Sequence, residues 1–220
     1  ATKTSDQQAT NAALAALAAT GNSDNQFHHA SISPVDDVYT PGSEVAFTAI
    51  GSDKRGGKAD LPEGLTWALS QDSAHYGVID AQTGVYTDNG QEAEPHEVAV
   101  ELHQGDQVVG SSKITIAAPD ELNFPNDSIN LEYEARSNLG LTVFYKGRPV
   151  QYKAGDLLWS IADERVGEMD GNIFVAAANN TTGDLSVKSK VVVASRWDDS
   201  VTSSIEVGIG TKPVVKIDGG

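Results

Sequence analysis

The sequence has no cysteine and a single methionine among its 220 residues. Without cysteine there is no disulfide framework, no thiol nucleophile and no sulfur ligand for a structural zinc. Any folded unit must be held by burial alone, which sandwiches of roughly 90–100 residues can achieve. No apolar run approaches the ~18 residues of a membrane-spanning helix. Positive charge is scarce too, with 15 Lys and Arg against 31 Asp and Glu, a formal net charge of −16. That field repels phosphate backbones and anionic lipid, so nucleic acid and membrane insertion are excluded as expected partners. The acidity reads as solubility or, more sharply, as Ca²⁺ coordination. No Lys/Arg-led signal peptide opens the chain at Ala1, so residue 1 reads as a processing boundary with any secretion signal outside it.

Familiar catalytic spacings are missing as well. The five histidines, His28, His29, His75, His96 and His103, include no pair spaced H-x-x-x-H, and they read as exposed or capping residues. There is no G-x-S-x-G elbow, and Gly56-Gly57 lacks a following G-K-[ST]. The adjacent acids Asp36-Asp37, Asp163-Glu164 and Asp198-Asp199 are candidates for paired-carboxylate glycoside chemistry. Neighbours on a strand point to opposite faces, so such pairs do not converge on one substrate. The expectation is that these residues hold no enzyme.

What is present is a rhythm of short strands. Residues 1–27 stand apart as a leader: the Ala-rich stretch 9–19 is either a short helix or a loosely attached segment, and Gly21-Asn22-Ser23 stops it. From His28 apolar residues recur with period two between turns, as in Val45-Phe47-Ala49, Leu65-Trp67-Leu69 and Val98-Val100-Leu102. The pattern predicts an all-β chain of two sandwich domains, 28–118 and 119–210, followed by a linker over 211–220.

An internal repeat sharpens this. Leu65-Thr66-Trp67-Ala68-Leu69 precedes Gly77-Val78-Ile79-Asp80 and Gly84-Val85-Tyr86, and Leu157-Leu158-Trp159-Ser160-Ile161 precedes Gly167-Glu168-Met169-Asp170 and Gly171-Asn172-Ile173-Phe174. A strand with a central Trp, then G-x-[IM]-D, then an apolar strand, occurs twice in register. Trp67 and Trp159 are thereby expected as equivalent core residues spanning two sheets about 10 Å apart.

The pattern W-x-[LI]…G-x-[IM]-D…G-x-[YF] resembles the group 2 bacterial immunoglobulin-like domains, spacer and adhesion modules of surface proteins. A narrower resemblance lies in His28-His29-Ala30-Ser31-Ile32-Ser33-Pro34, Tyr39-Thr40-Pro41-Gly42-Ser43, Ser137-Asn138-Leu139-Gly140-Leu141-Thr142-Val143 and Gly155-Asp156-Leu157-Leu158-Trp159-Ser160. These look like the region downstream of the catalytic domain in Gram-positive phosphodiester glycosidase-like surface proteins, related to N-acetylglucosamine-1-phosphodiester α-N-acetylglucosaminidase. The resemblance implies two immunoglobulin-like β-sandwiches in tandem, outside the cell or on its surface, joined to adjacent domains of a longer chain. It also implies a non-catalytic accessory or spacer role with weak carbohydrate contact; the alternative is an adhesion module for a host or cell-surface protein. In those relatives the chemistry belongs to an upstream domain, and Asp218-Gly219-Gly220 lacks that domain's context.

Two sandwiches need two central Trp residues, and a third stands in a polar setting. Trp197, with Arg196, Asp198 and Asp199, is the candidate ligand or partner platform, against a plain role in closing a sandwich end. For Ca²⁺, Asp36, Asp37 and Asp120 are the candidate ligands, with Asp198-Asp199 a second short cluster.

Overall fold

The computed structural model describes residues 26–92, 94–177 and 187–210. The expected leader helix, the 211–220 linker and Asp218-Gly219-Gly220 lie outside the described residues, apart from Gln26 and Phe27 at the end of the leader.

Among the described residues twenty strands follow one another, with short 3-10 turns between some of them. The first ten are β1 (His29–Ser33), β2 (Val38–Tyr39), β3 (Glu44–Ala46), β4 (Thr48–Ser52), β5 (Lys58–Ala59), β6 (Leu65–Leu69), β7 (Gly77–Ile79), β8 (Val85–Asp88), β9 (His96–Gln104) and β10 (Gln107–Ile116). The second ten are β11 (Glu121–Asn123), β12 (Ser128–Leu131), β13 (Arg136–Ser137), β14 (Thr142–Tyr145), β15 (Arg148–Gln151), β16 (Leu157–Ile161), β17 (Gly167–Asp170), β18 (Ile173–Ala176), β19 (Val187–Ser195) and β20 (Thr202–Ile209).

The second set repeats the pairings of the first. β1 pairs antiparallel with β4 as β11 does with β14; β3–β8–β7 corresponds to β13–β18–β17; and β6–β9–β10 corresponds to β16–β19–β20. β2 runs parallel to the end of β10, and β12 runs parallel to β20. The chain is therefore all-β, two immunoglobulin-like sandwiches in succession. In each, two successive strands change layer, so that β3 and β4, like β13 and β14, serve different sheets. The change occurs at a buried apolar residue, Phe47 between β3 and β4 and Leu139 between β13 and β14.

By backbone proximity the first compact unit runs through Asp36 and takes Glu44–Asn89 and Glu97–Ile114. The second takes Asp37–Ser43, Gly90–His96 and the chain from Thr115 on. This division differs from the 118/119 boundary expected from the repeat. Val38 explains part of the difference: it is buried in the second unit's core, and β2 pairs in parallel with β15, Val38 opposite Val150.

Inward residues alternate along the long strands, as in Val98, Val100 and Leu102 of β9 and Val191 and Val193 of β19. The aromatic at the centre of each sandwich is not the repeated Trp. Tyr86 on β8 and Phe174 on β18 are both fully buried, whereas Trp67 and Trp159 are half-buried. β6 and β16 are the last strands of their sheets, so each indole packs on its core from the flank. The Trp67 ring lies 6.4 Å from that of Phe47, and the Trp159 ring 6.3 Å from that of Phe124.

The glycine opening each G-x-[IM]-D motif has a steric cause. A Cβ on Gly77 would stand 2.3 Å from the Thr87 carbonyl oxygen and 2.7 Å from the Tyr86 ring. On Gly167 it would stand 2.2 Å from the Val175 oxygen and 2.8 Å from the Phe174 ring. The central aromatic sits directly on glycine backbone in both units. Around it the units differ: the Tyr86 hydroxyl donates to Asp88 Oδ1 at 3.0 Å, while Phe174 faces the position where Asp88 is replaced by Ala176. Burial, and after it the Asp88 charge, holds the Tyr86 phenol far above its ordinary range.

Candidate functional site

The third Trp stands in a loop that only the second unit has. β9 and β10 are joined by two residues, Gly105 and Asp106, with Gly105 at φ +59° as a tight hairpin requires. The equivalent β19–β20 connection runs from Arg196 to Val201. Its base is closed by the Ser195 N–H donating to the Val201 carbonyl at 2.9 Å. Inside it the Ser200 N–H and hydroxyl donate to Asp198 Oδ1 at 2.9 and 2.6 Å. The Ser200 hydroxyl first, then its N–H, holds the Asp198 carboxyl below its usual value. Trp197 is half-buried, and the Arg196 guanidinium lies over its ring, 5.5 Å from the centroid. Asp198 and Asp199 are exposed. The four residues thus share one loop, with a cation already on the indole and one acid fixed by its own turn.

The loop rests on a buried carboxylate that sequence reasoning passed over. The Arg196 N–H donates to the Asp156 carbonyl at 3.1 Å. The Asp156 side chain is completely buried. Its Oδ2 accepts the Thr40 hydroxyl at 2.6 Å and the Lys153 N–H at 2.9 Å. The Thr40 hydroxyl is also 3.1 Å from that of Ser43, and Lys153 Nζ donates to the Gly42 carbonyl. Asp156 Oδ1 has no partner among the described residues. Such a carboxylate ties the Thr40–Ser43 turn into the second unit. Nothing in the string Gly155-Asp156-Leu157 distinguishes it from a solvated turn; only its burial does.

The acids proposed as Ca²⁺ ligands are placed otherwise. Asp36 adopts φ +57°, and its N–H donates to the Lys113 carbonyl at 2.7 Å. The Asp37 carbonyl accepts from the Thr115 N–H at 2.9 Å. Both Asp120 oxygens accept the Lys146 N–H at 3.0 Å, closing the hairpin turn between β14 and β15. Among the described residues no three His, Asp or Glu side chains converge on a point that could hold a metal ion, so Asp36, Asp37 and Asp120 do not form the expected cluster. Asp163, of the Asp163-Glu164 pair, forms a two-point ion pair with Arg165, whose side chain holds its carboxyl down at about 2.

A groove of about 870 Å³ opens on the flank of the second unit between β16 and β17, lined by Trp159, Ile161, Glu164, Glu168, Met169 and Val175 among others. Read from the repeat, Trp159 has a structural role alone. What the repeat conceals is that the indole occupies an edge strand, where one side of the ring can face inward and the other a groove.

No protein-family model matches the chain, and no curated protein matches it. Solved structures do. Domains 4 and 5 of the S-layer protein SbsC are 10% identical, with a TM-score of 0.33, over 83% of this chain and 100% of that one. A chimeric titin Z1Z2 is 13% identical, with a TM-score of 0.35, over 86% and 99%. Protocadherin gamma B7 extracellular cadherin domains 1–4 are 10% identical, with a TM-score of 0.30, over 84% and 51%. The chain spans 23%, 29% and 32% of the length of three longer S-layer SbsC fragments that it resembles.

Proposed function

We propose that this chain is a non-catalytic immunoglobulin-like accessory region of a secreted or cell-surface bacterial protein, one that spaces neighbouring domains and offers a contact surface at the Trp197 loop. The observation that carries the reading is the use made of the polar groups. Asp120, Asp156, Asp163 and Asp198 each close a turn or anchor a loop of the sandwich, which is the work of a scaffold. The parent is proposed, from the sequence resemblance, to be a Gram-positive phosphodiester glycosidase-like protein whose catalytic domain lies outside these residues.

The contact surface is proposed for Trp197, Arg196, Asp198 and Asp199. An indole face suits the apolar face of a pyranose, and the flanking guanidinium and carboxylates suit its hydroxyls. A protein partner on a host or cell surface is the alternative ligand. A glycan array, run beside a phosphodiester glycosidase assay on the same 220-residue chain, tests both parts. The reading expects no turnover, and any glycan signal should vanish with Trp197→Ala. Turnover abolished by replacing one acidic residue would refute it.

A further inference from the structure

The two units treat the same strand edge differently. In β6 the residues paired with β9 through hydrogen bonds are the even-numbered ones, since the Ser70 N–H donates to the Ala99 carbonyl in the same register. Antiparallel alternation then turns the Trp67 N–H outward, away from β9. It does not stay open: it donates to the Ala81 carbonyl at 2.9 Å. The turn Asp80–Gly84 folds back over the edge to do this, held by Asp80 Oδ1 accepting from the Gln82 and Thr83 N–H groups. Gly84 lies against the indole so closely that a Cβ would stand 2.7 Å from it.

In β16 the same parity holds. The Ala162 N–H donates to the Lys190 carbonyl and the Arg196 N–H to the Asp156 carbonyl, so Leu157, Trp159 and Ile161 turn their backbone groups away from β19, Leu157 into the core and Trp159 and Ile161 beside the groove. Here the corresponding turn is only Gly171-Asn172. It supplies a side-chain acceptor, Asn172 Oδ1, to the indole Nε1–H at 3.3 Å, and among the described residues no carbonyl accepts the Trp159 N–H. Within β16 itself there is no Pro or Lys, its pairing with β19 runs without a break, and Leu158 is 56% exposed. Beside it lies the groove, with Ile161, Met169 and Val175 as apolar lining and Glu164 and Glu168 as exposed acids.

We infer that the outer edge of β16 is a docking site for an extended peptide strand, which pairs with Trp159 and Ile161 through its backbone, sets an apolar side chain into the groove and carries Lys or Arg toward Glu164 and Glu168. Two observations choose this occupant. The first unit already covers the equivalent edge with main chain, and the acidic groove in a chain of net charge −16 complements a basic peptide. The site goes beyond the Trp197 surface and does not depend on it.

The test uses the full 220-residue chain, ¹⁵N-labelled, titrated with a short capped peptide alternating valine and lysine. The inference expects saturable amide shifts at Trp159 and Ile161. N-methylating the peptide amides along one edge should weaken binding at least about ten-fold, because the pairing is made by backbone. Glu164→Lys with Glu168→Lys should weaken it by about five-fold while leaving the melting temperature in place. Equal binding by the N-methylated peptide, shifts centred elsewhere, or no shifts at millimolar peptide would overturn the inference. So would chito-oligosaccharide shifting the Trp159 indole where the peptide does not, which would make the groove a sugar site.

Discussion

Replacing Gly167 with alanine tests whether the repeated motif exists to seat an aromatic on bare backbone. The new Cβ would stand 2.2 Å from the Val175 carbonyl oxygen, 2.8 Å from Phe174 Cζ and 3.1 Å from Ala176 Cα. Two of these three are backbone atoms of the paired strand, and the ring is fully buried, so none can yield cheaply. Overpacking of this kind costs about 1–3 kcal/mol. Gly167 also holds φ +149°, which an L-residue adopts at a further cost of about 1–3 kcal/mol. Together they predict a loss of roughly 2–6 kcal/mol. Gly77→Ala meets the same kind of clash, 2.3 Å from the Thr87 oxygen, but Gly77 is not among the positive-φ glycines. Its expected cost is about 1–3 kcal/mol. The assay is urea unfolding of each variant followed by tryptophan fluorescence, Trp67 reporting the first unit and Trp159 and Trp197 the second. At about 4–8 °C per kcal/mol for a unit of this size, the difference should show in thermal melts too. If Gly167→Ala lies within about 0.5 kcal/mol of the parent, the close approach is not what fixes the glycine.

Other consequences are as direct. Thr40→Val removes the hydroxyl that donates to the fully buried Asp156 carboxylate and should cost about 1.5–3 kcal/mol, read as a lowered urea midpoint with an unchanged slope. Tyr86→Phe, which makes the first unit's central ring like Phe174, should destabilise by about 1.5–3 kcal/mol because Asp88 loses a donor; a neutral outcome would mean that bond is not formed. Asp163 has a folded-state value of about 2, below the model-peptide value of 3.8, so its contribution is present above the unfolded value and is lost as pH falls through about 2. A ¹³C carboxyl titration should place its midpoint near there, and a midpoint close to 3.8 would dissolve the Arg165 pair. Trp197→Ala should leave the melting temperature nearly unchanged while ligand affinity is lost; a large thermal loss would make the indole a plug for its own sandwich.

The strands and their repetition were legible because period-two alternation and turn residues are local signals. Leu65-Trp67-Leu69 and Leu157-Trp159-Ile161 announce strands of equal length, and both appear. The burial of the indoles was less legible, since sequence says that a Trp faces inward but not whether its strand is central or last in the sheet. The parallel pairing of β2 with β10 and β15 leaves almost no trace, because only Val38 and Tyr39 make it. Asp156 was invisible for the same reason: a carboxylate in Gly155-Asp156-Leu157 looks solvated until Thr40, 116 residues away, is placed beside it. The acids read as calcium ligands carry no local sign of the partners they have. Asp120 is taken by the Lys146 N–H, an interaction across a hairpin that no local motif marks. The candidate loop at Trp197 was legible from polarity alone, as a Trp among Arg and Asp, while the open edge of β16 needed the two turn lengths to be compared in space.

That contrast between two otherwise equivalent units is measured most directly by amide hydrogen exchange at Trp67 and Trp159. The account predicts a slow Trp67 amide, bonded to the Ala81 carbonyl, and a fast Trp159 amide, with the amides of Ala68 and Ser160 on the paired side of each strand both slow. Equal protection of the two Trp amides, whether both slow or both fast, would contradict it.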